Sequence, residues 1–204
     1  MSSPASDDPA EVRLLALGTS LTAHGGWLQP LATALGWTWR RPVRAINMGG
    51  PGRTSVWGLT RLADAARARA DIALIEFASN DADVRRGITP ARSRANLAAL
   101  IDGLRTADGS TRIFVMTMSP AWGLRGLLRP GLGDYYRGYQ AVAQARRAEL
   151  IDIYAVWRRL SPAELHAAIP DGLHPTPAAH RRITLPTILT ALERSQPGPR
   201  PRGA

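Results

Sequence analysis

Five short apolar runs, set apart by stretches of helical periodicity, constrain this chain more than any other feature. The runs cover residues 12–17 (VRLLAL), 43–47, 71–77 (DIALIEF), 112–118 (RIFVMTM) and 150–154. Each has the length of a strand. Between them, helical patterns run over residues 27–35, 54–70, 90–105 and 134–149, then in short pieces over 155–168, with a last helix over 178–194. In residues 90–105 the apolar stripe is Leu97, Leu100, Ile101 and Leu104. Strands alternating with helices predict a doubly wound α/β fold: a parallel sheet with helices on both faces, joined by right-handed crossovers. Such sheets carry their sites at the carboxyl ends of the strands. Ser20, Asn47, Asn80 and Ser119 each fall at or just after the end of a predicted strand, so all four are expected at one edge.

Length and composition narrow the chemistry. The 204 residues suit one domain, expected over residues 12–194, between a flexible polar arm (1–11) and a disordered Pro/Arg tail (195–204). There is no cysteine, which excludes disulfides, thiolate metal sites and a cysteine nucleophile. All 26 basic residues are arginine, which excludes a Schiff-base lysine, a P-loop lysine and a Ser-Lys dyad. The formal net charge is +10, but the arginines are scattered. That pattern reads as compositional bias, and no nucleic-acid partner is expected. No pair of histidines has metal-ligand company, so no metal and no cofactor are expected, and His166 and His180 read as surface residues. No run approaches the ~18 apolar residues of a membrane span. The first residues show no basic region followed by an apolar stretch, so a cytoplasmic protein is expected, with secretion after processing as the alternative. Oligomeric state is left open.

Four segments carry chemistry. In GTSLT, Ser20 sits at a strand-to-helix turn, where a hydroxyl is presented at the top of the sheet and free backbone N–H groups favour negative charge. An ordinary helix N-cap is the other use of a serine there. In NMGGPGRTS, Gly52 can bring its N–H close to a ligand, or simply make a tight turn. A P-loop is excluded because Arg53 stands where lysine is required. In EFASND, the Asn80 amide can donate to an oxyanion, or Asn80 and Asp81 can cap a turn. In DGLHP, Asp171 precedes His174 by three positions between Pro170 and Pro175. A carboxylate at that spacing can fold back to the imidazole and fix its tautomer. A solvated surface turn is the alternative.

Taken in order, these segments resemble the four blocks of the SGNH/GDSL hydrolase family, over roughly residues 12–192. Gly18-Thr19-Ser20-Leu21 matches the GDSL block, Gly52 the second-block glycine, Asn80 the third-block asparagine, and Asp171 with His174 the DxxH block. The resemblance implies a flavodoxin-like, three-layer α/β/α sandwich around a five-stranded parallel sheet. It implies a serine esterase without metal or cofactor, with Ser20, Asp171 and His174 as catalytic triad and Ser20, Gly52 and Asn80 as oxyanion hole. Two departures stand out. Thr19 replaces the aspartate of GDSL, which puts the support of the turn in question, and Ala78-Ser79 replace the glycines often found before the asparagine.

The expected activity is hydrolysis of short-chain (acetyl) carboxylic esters, on a small molecule or a carbohydrate. A lysophospholipase or thioesterase is the alternative within the same chemistry, and a non-catalytic module for acidic polymers the alternative from another class. His24, Trp57 and Trp122 are candidate substrate contacts, with Trp27 as a further stacking surface, while Trp37, Trp39 and Trp157 read as packing residues. The loop over residues 120–133 is expected to border the site, with Arg125 and Arg129 either solvated or facing an acidic substrate group.

Overall fold

The computed structural model describes residues 11–198. Residues 1–10 of the expected arm and the end of the expected tail, residues 199–204, lie outside the described residues. Strands β1 (Val12–Gly18), β2 (Val43–Gly49), β3 (Ile72–Ile75), β4 (Arg112–Thr117) and β5 (Glu149–Asp152) form one parallel sheet in the order β2-β1-β3-β4-β5. The helices, in chain order, are α1 (Ser20–Ala23), α2 (Leu28–Trp39), α3 (Ser55–Thr60), α4 (Leu62–Arg67), α5 (Ala78–Asp81), α6 (Pro90–Ala107), α7 (Gly123–Leu127), α8 (Leu132–Ala145), α9 (Ile153–Trp157), α10 (Pro162–Ala168), α11 (Pro177–Ala179) and α12 (Leu185–Glu193).

The chain leaves β1 towards one edge through α2 and returns through α3 and α4 to β3 on the other side of β1. Right-handed crossovers then place these connections on opposite faces. Accordingly α2 packs on α12, while α6 packs on α3, α4 and α8. The central strands explain their own sequences. Every residue of β3 is buried, and so is every residue of β1 except Arg13, so both read as unbroken apolar runs rather than alternating ones. The edge strands β2 and β5 are half-exposed. The α6 stripe of Leu97, Leu100, Ile101 and Leu104 is buried as its periodicity predicts. Thr89 caps that helix by accepting from the Arg92 N–H, and Pro90 fills its first position.

Four local expectations change. The helix expected over 54–70 breaks at Arg61, whose N–H turns back to the Gly58 carbonyl. The last helix is interrupted by a π-turn over His180–Thr184. Pro186 follows in the first turn of α12; it has no N–H to donate and its ring crowds the carbonyl four residues back, so the chain widens there. Strand β5 stops at Asp152, because that carboxylate accepts from the Ala155 N–H and caps α9. Finally, residues at the start of the expected tail are tied down: Gln196 donates to the Trp39 carbonyl, and Arg41 to the Pro197 carbonyl at 2.8 Å. Of the expected packing tryptophans, Trp39 and Trp157 are buried, but Trp37 is 82% exposed.

Candidate active site

The site forms where β1 and β3 send their following loops to opposite sides, the switch point of the sheet. Beyond Gly18, Thr19 caps α1: its Oγ1 accepts from the Leu21 N–H at 3.1 Å. Ser20 is thereby the first residue of the helix. Its Oγ lies 2.9 Å from His174 Nε2, and His174 Nδ1 lies 2.6 Å from Asp171 Oδ2. The three-residue spacing works because Asp171 Oδ1 also accepts from the N–H groups of Leu173 (2.9 Å) and His174 (2.7 Å), folding the loop back on itself. Burial tends to raise the Asp171 pKa, but the His174 ring and these two N–H groups outweigh it and hold the carboxyl at about 2. With a carboxylate on Nδ1, the ring proton belongs there and the Nε2 lone pair faces the serine hydroxyl.

The loops after β2 and β3 carry candidate hydrogen-bond donors. Gly52 adopts a left-handed conformation (φ +66°), which a side chain would strain. Among the described residues, neither the Ser20 N–H nor the Gly52 N–H donates to a protein acceptor. Asn80 is buried and gives one amide hydrogen to the Arg53 carbonyl at 2.8 Å, which holds its Nδ2 against the Gly52–Arg53 turn and leaves a second hydrogen to donate.

That asparagine is braced from behind by residues whose part the sequence does not disclose. Arg129 is neither solvated nor turned to a substrate, the two uses expected of it: it is buried on a carboxylate of the chain itself. Its Nε donates to the Ser79 carbonyl at 2.6 Å and its Nη2 lies 3.2 Å from Asp83 Oδ2. Hydrogen bonding to Arg85, aided by the charge of Arg129, holds the Asp83 carboxyl down at about 2. Asp81 accepts from the Ser55 N–H (2.8 Å) and the Ser93 hydroxyl (2.6 Å), tying the β3 loop to α3 and α6. Burial pushes the Asp81 carboxyl up against the pull of these bonds.

The structure also answers what supports a turn without the GDSL aspartate. Glu76, fully buried at the end of β3, accepts from the Thr19 N–H (2.6 Å), the Thr19 hydroxyl (2.9 Å) and the Thr22 hydroxyl (2.8 Å). A Cβ on Gly18 would stand 2.3 Å from Glu76 Oε1, so only glycine admits the carboxyl. Burial pushes the Glu76 pKa from 4.5 to about 7, against those hydrogen bonds. Its one signal in the sequence is an acid inside the apolar run DIALIEF.

The remaining expected residues divide. Asn47 lies within β2 and braces α1, with Nδ2 to the Thr22 carbonyl at 3.3 Å, rather than reaching the site. Ser119 backs the triad loop, its hydroxyl 3.5 Å from the Leu173 carbonyl. His24 is exposed at the end of α1. Trp57 packs edge-on against Phe77 with the Arg53 guanidinium 5.4 Å above its ring. Trp122 donates its backbone N–H to the Gly172 carbonyl at 2.9 Å, and its indole stacks on His166 with ring centroids 4.0 Å apart. Trp27 offers no stacking surface: it is fully buried and its Nε1 donates to the Leu21 carbonyl. His180 is buried rather than on the surface, and burial lowers its pKa to about 4.

The 120–133 loop does border the triad loop, through the Trp122–Gly172 bond. It folds into α7, which carries the exposed Leu124 and Leu127. A cavity of about 380 Å³ beneath it is lined by Trp122, Leu127, Arg129, Leu132 and Tyr154, but by no triad residue. Among the described residues no cluster of three acids or histidines could hold a metal, and no helix is long and apolar enough to cross a membrane. A serine, an imidazole and a carboxylate in series are the groups that acyl transfer uses.

Comparison with known proteins agrees with this chemistry. The sequence profile of the GDSL-like lipase/acylhydrolase family matches residues 16–182. No curated protein matches the sequence. Among solved structures, a lipase/acylhydrolase from Enterococcus faecalis is 25% identical, with a TM-score of 0.74 over 93% of this chain and 100% of that one. TesA is 25% identical, with a TM-score of 0.71 over 90% of this chain and 99% of its own. Axe2, an acetylxylan esterase from Geobacillus stearothermophilus, is 21% identical, with a TM-score of 0.74 over 88% of this chain and 93% of its own; at that identity the likeness is one of fold.

Proposed function

The chain belongs to the GDSL-like lipase/acylhydrolase family and is a hydrolase of ester bonds; on that premise we propose that Ser20, Asp171 and His174 are its catalytic triad and that Ser20, Gly52 and Asn80 form its oxyanion hole. The observation that carries this reading is the unbroken relay from Ser20 Oγ through the imidazole to Asp171. His174 takes the Ser20 proton on Nε2 as Oγ attacks the ester carbonyl. The imidazolium is stabilised by Asp171, which stays ionised because its carboxyl is held near 2. The oxyanion accepts from the Ser20 and Gly52 N–H groups and from the free hydrogen of Asn80. His174 then protonates the leaving alcohol, and water repeats the cycle on the acyl-enzyme.

The finer reading is a short acyl group, acetyl above all, on a small-molecule or carbohydrate alcohol. The fold shared with an acetylxylan esterase is compatible with it. A lysophospholipase or thioesterase reading draws on one observation: Leu124 and Leu127 stand 74% and 76% exposed on α7, beside the triad loop, where a long acyl chain could rest. A p-nitrophenyl ester series from acetate to palmitate decides between them. The short-acyl reading predicts kcat/KM highest at acetate or propionate; a peak at eight carbons or more transfers the assignment to the second reading.

A further inference from the structure

Resting on the hydrolase reading above, we propose that the site takes esters that carry an anionic group, a carboxylate, phosphate or sulfate, close to the scissile bond, with Arg86 as the main residue that selects them. The 3₁₀ turn Val84–Arg86 is fixed at its start by the Asp83 cap. It directs Arg86 onto the oxyanion turn, where Nη2 comes within 3.1 Å of the place a Cβ on Gly52 would occupy. The guanidinium therefore stands beside Gly52, the residue whose N–H the hydrolase reading assigns to the oxyanion. Arg53 follows Gly52 in the chain, with its guanidinium lodged over the Trp57 ring. Across the mouth, the Cβ of Arg125 on α7 lies 3.5 Å from the corresponding point on Gly172 of the triad loop. Three loops from three strands thus each bring an arginine to the same edge of the sheet.

None of these three arginines forms an ion pair among the described residues, whereas Arg61, Arg85, Arg112 and Arg146 do. The acids beneath the site are already engaged. Asp83 is held by Arg85 and Arg129, Asp81 by Ser55 and Ser93, Asp171 by His174 and its own loop, and Glu76 lies buried under Thr19. The mouth therefore carries positive charge that these carboxylates do not neutralise. A positive rim around a reacting centre attracts anionic substrates and hydrogen-bonds them once bound. One charge-assisted hydrogen bond is worth roughly tenfold in binding.

Matched ester pairs test this. On the alcohol side, 4-acetoxybenzoate is set against its methyl ester. On the acyl side, p-nitrophenyl hemiglutarate is set against p-nitrophenyl butyrate. The expected result is a kcat/KM about tenfold higher for the anionic member of at least one pair, with the pair identifying the side on which the charge sits. That advantage shrinks as salt is raised, and Arg86→Gln lowers the anionic-to-neutral ratio about tenfold. Equal rates within both pairs, or a ratio unchanged in Arg86→Gln, overturn the inference. Turnover of the neutral esters, compared with Ser20→Ala, reports on the hydrolase reading separately. If it persists without any anionic preference, only the substrate inference fails; if no ester is turned over, both fail.

Discussion

Replacing Glu76 by glutamine should make the protein more stable as pH rises, and the size of the effect follows from the environment of that carboxyl. Glu76 is fully buried, has no cationic partner, and titrates at about 7 in the fold instead of 4.5. In the unfolded chain it ionises at its ordinary value. Between these values the folded state holds a proton that the unfolded state has released, so wild-type stability falls as pH rises through this window. At ~1.4 kcal/mol per pH unit, the penalty reaches about 3 kcal/mol above pH 7. Glutamine carries no charge, yet its carbonyl still accepts from the Thr19 N–H and the Thr22 hydroxyl. The Glu76→Gln variant should therefore gain about 3 kcal/mol relative to wild type between pH 4.5 and 8. The difference between the two proteins is the quantity to follow. His180, with its pKa lowered to about 4, makes both proteins more stable as pH rises from 4 to 6.5, and this opposite trend cancels in the subtraction. Urea unfolding at half-unit pH steps supplies the curve. A difference constant over that range would mean that burial does not hold Glu76 neutral in the fold.

Two further substitutions probe the parts around the triad. Asn80→Ala should lower kcat by about 10²–10³ with little change in KM, because the lost donor acts on the oxyanion and not on the bound ester; kinetics with unchanged kcat would remove Asn80 from the hole. Arg129→Met should cost about 3 kcal/mol in urea unfolding, since it strips the buried Asp83 of one partner and the Ser79 carbonyl of its donor, and a change below about 1 kcal/mol would show that Arg85 alone satisfies Asp83.

Much of the architecture was legible in the sequence because its signals are local. Buried central strands are apolar along their whole length, so β1 and β3 announce themselves, and the α6 stripe repeats at helical period. The site blocks were legible for a related reason: each lies in one short turn, and the Asp171–His174 fold-back is completed within four residues. What escaped depends on partners far apart in the chain. Glu76 meets Thr19 across 57 positions, and Arg129 meets the Ser79 carbonyl across 50. Nothing in either local pattern separates a braced, buried charge from a solvated one. Trp27 and Trp37 changed places for the same reason: a tryptophan carries no mark of whether a neighbouring element will cover it. The π-turn before α12 had a visible cause in Pro186, but proline alone does not say whether a helix will end or widen.

Ser20 is proposed above as the nucleophile of an ester hydrolase. The most direct test is p-nitrophenyl acetate hydrolysis by wild type beside Ser20→Ala, with circular dichroism and urea midpoints showing that both are folded. The expected result is turnover by the wild type and a rate indistinguishable from buffer in the variant. Equal rates in the two folded proteins would contradict it.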